Sequence, residues 1–227
     1  QTKGLLLHTK VVLILTAILL VFGVIFFLFF EFNNTMSDLS LIGKINAAVH
    51  HSVNTRTAGF STLPLGNMKE ISKISSIILM FIGGAPGSTA GGIKITTFGI
   101  VLIAVFSQIR GSNDTIIFKR KVANDIVIKA LSIIVIGIMV ITAVTTIILA
   151  VEQRPFIDVL FEVTSAFATV GLSTGITPSL HGISKFLLIL TMFWGRVGPL
   201  SFAIALSLRT RKKDNDRIYP DGKIVVG

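Results

Sequence analysis

Thr55-Arg56-Thr57-Ala58-Gly59-Phe60-Ser61-Thr62 returns in altered form, 112 residues later, as Thr169-Val170-Gly171-Leu172-Ser173-Thr174. At the same offset Ile71-Ser72-Lys73 falls on Ile183-Ser184-Lys185, Met80-Phe81 on Met192-Phe193, and Gly83 on Gly195. Matches at one offset without gaps mark an internal repeat, a common plan for membrane transport proteins. What surrounds each Thr-x-Gly string decides the fold.

Upstream of each string lies a short segment, 41–54 and 155–168, too short to cross a bilayer. Pro155 suits a helix N-terminus. Upstream again are uncharged runs of 20 residues, Val11 to Phe30, and 22 residues, Ala130 to Val151. Each matches the roughly 20 residues that cross a ~30 Å hydrocarbon core. Downstream of the first string, Ile74 to Ile109 holds one charge, Lys94, and is interrupted by Gly83-Gly84-Ala85-Pro86-Gly87-Ser88-Thr89-Ala90-Gly91-Gly92. Downstream of the second string, a span from about Ile183 to Leu208 holds a single charge, Arg196. Each unit therefore reads as span, re-entrant helix, polar loop, span. The expected fold is an all-α membrane protein of repeated units around a pore: one unit over 1–112, a second over 113–209 and a basic cytoplasmic tail over 210–227.

Composition agrees. The 227 residues are 52% hydrophobic and 14% charged, against about 25% charged in soluble domains. The net charge of +10 lies between apolar runs, so it reads as membrane topology rather than nucleic-acid binding. Thirteen Lys and Arg flank the termini and the 110–129 loop; six lie on the opposite side. That excess places both termini in the cytoplasm. Cysteine is absent, which excludes disulfides, thiolate metal sites and cysteine nucleophiles. No carboxylate pair or nucleophile–base set appears, and no enzyme is expected.

Non-helical backbone at membrane depth must be covered by protein or line a wet cavity. The Thr-x-Gly loops are therefore read as pore-lining, although such a string alone could be any turn. A dehydrated cation needs oxygen ligands, which rings of backbone carbonyls supply. Glycine permits the φ values that aim them. Candidate carbonyls are those of Thr57, Ala58, Gly59 and Phe60, and of Thr169, Val170, Gly171 and Leu172. The re-entrant helices point their negative C-terminal ends at the same axis. Phe60 and Leu172 are expected to pack outward and brace the loops.

These strings, the glycine-rich break and Phe193-Trp194-Gly195-Arg196-Val197-Gly198-Pro199-Leu200 resemble the Ktr/Trk/HKT superfamily of cation transporters, in particular its KtrB-type potassium-translocating subunits. The resemblance implies four span–pore helix–span units around a pseudo-four-fold pore, of which this chain carries the third and fourth. A companion half with the first two, on a separate chain or removed, would complete the filter. It also implies potassium as the transported ion, sodium as an activator, the cell membrane as location, a homodimer and a cytoplasmic KtrA-like ring of nucleotide-binding regulatory subunits. Glycine in both loops goes with potassium preference in that family.

Five glycines and a proline cannot sustain a helix across 83–92. Such a break is either a packing kink or a working part, and the resemblance implies an intramembrane gate. Arg196 aligns with Gly84, so both irregular features fall at one depth. A charge there costs about 2.5–3.5 kcal/mol on insertion scales and calls for a partner. It would repel a cation, hold the loop's carbonyls or form a structural ion pair. Lys94 would either snorkel or contact the gate. The basic tail reads as a solvated end or a docking strip. Two other classes compete: an ion-coupled secondary transporter with broken helices, and a non-conducting assembly subunit.

Overall fold

The computed structural model describes residues 6–111, 114–117 and 120–198. The expected tail, 210–227, and the end of the last span beyond Gly198 lie outside the described residues. Among the described residues seven α-helices follow in order: α1 (Leu7–Glu31), α2 (Leu41–Asn54), α3 (Glu70–Phe81), α4 (Ile95–Ile109), α5 (Asn124–Val151), α6 (Phe156–Phe167) and α7 (Gly182–Val197). A two-stranded antiparallel hairpin, β1 (Ile116–Ile117) and β2 (Arg120–Lys121), interrupts the 110–129 loop. The charge pattern gave no hint of it.

Helices α1 and α5 are long and apolar enough to cross a membrane unaided. Their outer faces leave Ile18, Phe22, Ile25 and Phe29, and Ile128, Leu131 and Met139, uncovered by protein. In water such stripes would be costly; in lipid they cost nothing. The interrupted span is two helices of 12 and 15 residues. At 1.5 Å per residue they measure about 18 Å and 22 Å, so neither reaches across a ~30 Å core alone.

The short helices sit inside. Helix α6 is covered by α3, α5 and α7, and all of Phe161–Phe167 is buried. Glycine lets α7 approach: a Cβ on Gly195 would overlap the Phe167 carbonyl. Helix α2 packs on α1, yet leaves Ile42, Ile45, Val49 and Val53 exposed. The contrast between two equivalent helices follows from order: α6 has the return helix of the preceding unit, α3, beside it, and α2 has no such neighbour in this chain. A buried ion pair, Lys73 Nζ to Asp158 Oδ1 at 2.7 Å, fixes the α3–α6 contact.

Each unit also closes in the same way. A glutamate ending the outer span accepts the main-chain N–H of the residue that starts the return helix. Glu31 accepts from Lys69 at 3.0 Å, and Glu152 from His181 at 2.7 Å. Lys69 and His181 stand 112 residues apart, like the filter strings. A carboxylate at a helix N-terminus meets unpaired N–H groups and the positive end of the dipole. In the sequence Glu31 and Glu152 simply end the two uncharged runs; in the fold both are buried.

The His181 N–H holds the Glu152 carboxyl at about 2, below the ordinary 4.5. A depressed carboxylate contributes stability above its unfolded value and loses it as pH falls toward its folded value. Detergent-solubilised Glu152→Gln should melt below the parent at neutral pH, and the two curves should converge as pH falls from about 4.5 to about 2. A gap independent of pH would contradict the capping role.

Candidate filter and gate

The two Thr-x-Gly loops share one unusual backbone. Thr57 and Gly59 have φ of 69° and 76°; Thr169 and Gly171 have φ of 52° and 89°. Among the described residues, Thr57 and Thr169 are the only non-glycine residues with positive φ. A β-branched residue there is strained by about 1–3 kcal/mol and persists only where surrounding structure enforces it. The sign of φ alternates through Thr-x-Gly in both loops, with the same pattern at matched positions.

The loops meet. A Cβ added to Gly171 would lie 3.6 Å from the Gly59 Cα, and one added to Gly59 would fall on the Val170 carbonyl oxygen and 3.5 Å from the Gly171 Cα. The sequence-predicted residues Gly59 and Gly171 are thus face to face, backbone on backbone, at the C-terminal ends of α2 and α6.

The second loop is anchored by Glu162 of α6, which is buried. Its Oε1 accepts from Ser173 Oγ at 2.7 Å and the Thr174 N–H at 2.8 Å, and its Oε2 accepts from Thr177 Oγ1 at 2.7 Å. The first loop has His50 at the equivalent position, 3.5 Å from Thr62 Oγ1 and 2.8 Å from Asn54 Nδ2. Asn54 Nδ2 also donates to the Phe60 carbonyl. Glu162 was legible as an acid in an apolar segment, a signal of function or of a committed partner. Leu172 braces its loop as expected, buried in a cluster with Leu63, Leu65 and Met68 of the preceding unit. Phe60 does not: its side chain is 73% exposed.

The glycine-rich break forms a closed loop between α3 and α4. The Gly83 N–H donates to Ile93 O at 2.8 Å, and Ile95 N–H to Gly84 O at 3.1 Å, pinching its neck. Ala85, Pro86, Gly87, Ser88 and Thr89 form the tip, and Ala90, Gly91 and Gly92 return beneath the second filter loop. A Cβ on Gly91 would lie 2.9 Å from Ala168 O, and one on Gly92 would lie 3.2 Å from Ala168 Cα. The Gly91 N–H donates to Thr169 Oγ1 at 3.1 Å. Arg196 Nη1 donates to Thr89 O, and Lys94 Nζ to Ala90 O. The loop, Arg196 and Lys94 therefore form one cluster, and Arg196 takes carbonyl partners rather than a carboxylate. Arg56, counted from sequence with the outer charges, ends α2 with Nε and Nη2 buried and without a hydrogen-bond partner among the described residues.

Two matched Thr-x-Gly loops between long apolar helices are the plan of a membrane transport protein. The chain belongs to the TrkH family of cation transport proteins, whose description matches residues 2–216. It is 39% identical over 97% of its length to the Ktr system potassium uptake protein B of Bacillus subtilis (strain 168), covering 49% of that protein. It is 36% identical over its full length to the potassium/sodium uptake protein NtpJ of Enterococcus hirae, covering 51% of it. The chain thus spans about half the length of these relatives. Its fold matches the crystal structure of the potassium transporter TrkH from Vibrio parahaemolyticus with TM-score 0.70 at 18% identity, over 88% of this chain and 44% of that one. The family is not an enzyme class.

Replacing Glu162 by Ala strands the Thr174 N–H and two hydroxyls. Hydrogen bonds to a charged group are worth about 1.5–3 kcal/mol each. Glu162→Ala in the full-length transporter should therefore lower thermal stability by at least that much and weaken ion selectivity. Unchanged melting would show that the second loop holds its shape without the anchor.

Proposed function

We propose that this chain supplies two of the four pore loops of a potassium uptake protein of the cell membrane, with Gly59 and Gly171 in its selectivity filter. The observation that carries this reading is the matched pair of backbones: two loops, 112 residues apart, with the same alternating φ, abutting at glycine. Backbone carbonyls of such loops replace the water shell of a large monovalent cation. The names of the relatives supply the ion: potassium uptake for one, potassium and sodium for another. Sodium enters this reading as an activator, and no enzymatic activity is involved.

The loop 83–92 is the gate, and Arg196 is its positive latch. A guanidinium in the conduction path repels a cation and donates to loop carbonyls, so loop and arginine move together. The exposed apolar face of α2 and the exposed Phe60 support a companion half carrying two further units. The completed protein forms a homodimer, with both termini cytoplasmic on the positive-inside count. A nucleotide-binding regulatory ring docks on the cytoplasmic face, where Arg120 and Lys121 are exposed. An ion-coupled mechanism would need free acidic groups near the centre. Glu31, Glu152 and Glu162 are committed to main-chain and hydroxyl donors, and Asp158 to Lys73, which argues against it.

Uptake by a potassium-transport-deficient strain tests the filter. Gly59→Ser should lower potassium selectivity over sodium about tenfold or more, because the added side chain meets the Val170 carbonyl. Unaltered selectivity would remove Gly59 from the filter. Deleting Gly84 to Gly91 should raise flux several-fold. Background flux from well-folded protein would contradict the gate.

A further inference from the structure

We infer that the Thr169 hydroxyl couples the gate loop to the filter, so that displacing the loop changes ion preference as well as flow. This rests on the filter reading above. Thr169 belongs to both structures at once. On that reading its carbonyl is one of those that face the axis; its Oγ1 accepts the Gly91 N–H at 3.1 Å, across 78 residues of sequence. Gly91 is buried, and a buried N–H needs an acceptor. The contact beneath it is tight: Gly91 lies against the Ala168 carbonyl and the Thr169 side chain, and Gly92 against Ala168 Cα and Cβ, so neither glycine could carry a side chain without a shift.

The position of this bond gives it leverage. Arg196 and Lys94 hold the tip and the return strand through flexible side chains. Thr169 holds the base through the residue whose own φ, 52°, is the strained one. Constraint from the loop is part of what keeps Thr169 in that conformation. When the loop leaves, Thr169 loses its side-chain anchor, and the carbonyl on the gate side of the filter is freed to turn. Coupling is reciprocal: if loop position changes ion binding, ion identity changes loop position.

Thr169→Val isolates the hydroxyl. Valine keeps the shape and the β-branching, and with them the strain, and removes only the acceptor. The chain has no cysteine, so Ser88→Cys at the loop tip places one thiol in it, the rest of the full-length transporter being made cysteine-free. In reconstituted protein, thiol labelling at Ser88→Cys should proceed at different rates in potassium and in sodium. Adding Thr169→Val should raise labelling about fivefold, the worth of one ordinary hydrogen bond. It should also abolish the potassium–sodium difference and lower the rubidium-to-sodium flux ratio. Thr169→Ser, which keeps an acceptor, should reverse these changes. Should the valine protein not fold, Thr169→Ala serves in its place. Labelling unaffected by loss of the hydroxyl would overturn the inference. So would faster labelling that retains its dependence on the ion, since the loop would then be tethered without being coupled. Failure of the filter reading looks different: Gly59→Ser leaves selectivity intact while Thr169→Val still exposes the loop.

Discussion

Everything in this molecule is arranged around a place where two main chains touch with no side chain between them. Gly59 and Gly171 lie so close that a methyl on Gly59 would occupy the Val170 carbonyl. That approach requires glycine, and it requires the strained threonines two residues earlier to hold the peptide units in step. A bare loop would relax. Here the loops are clamped by short helices that end on them, by Glu162 on one side and by Asn54 and His50 on the other. The long spans are the frame that makes those short helices stay at membrane depth.

The two units are alike in plan and opposite in one detail. Where the first breaks its return span with glycine, the second carries an arginine at the aligned position. The break supplies carbonyls with no helical partners, and the arginine donates to one of them, Thr89 O. Each meets part of the other's unmet polarity. That complementarity holds the loop against Ala168 and Thr169 and keeps a positive charge beside it.

Much of this was legible in the sequence. The helix over 41–54 was read at its observed bounds, and that over 155–168 lies within one residue of the observed Phe156–Phe167. Hydrophobic run length and Gly/Pro punctuation are local signals, and the repeat tied the two loops together. The misread residues took their meaning from distant backbone. Nothing local marks the acceptor roles of Glu31, Glu152 and Glu162, whose donors lie 11 to 38 residues away. Phe60 was expected to brace its loop by analogy with Leu172, but Leu172 packs against the preceding unit. The hairpin in the 110–129 loop is two residues per strand, too short for any periodic signal.

The central claim concerns oxygen atoms and an alkali ion, so the direct measurement is to locate the ion. Crystals of the full-length protein grown in rubidium salt, measured at the rubidium absorption edge, should show anomalous density on the axis between the Gly59 and Gly171 loops, ringed by their carbonyls. Rubidium absent from that axis, or bound only at side-chain carboxylates elsewhere, would contradict the account.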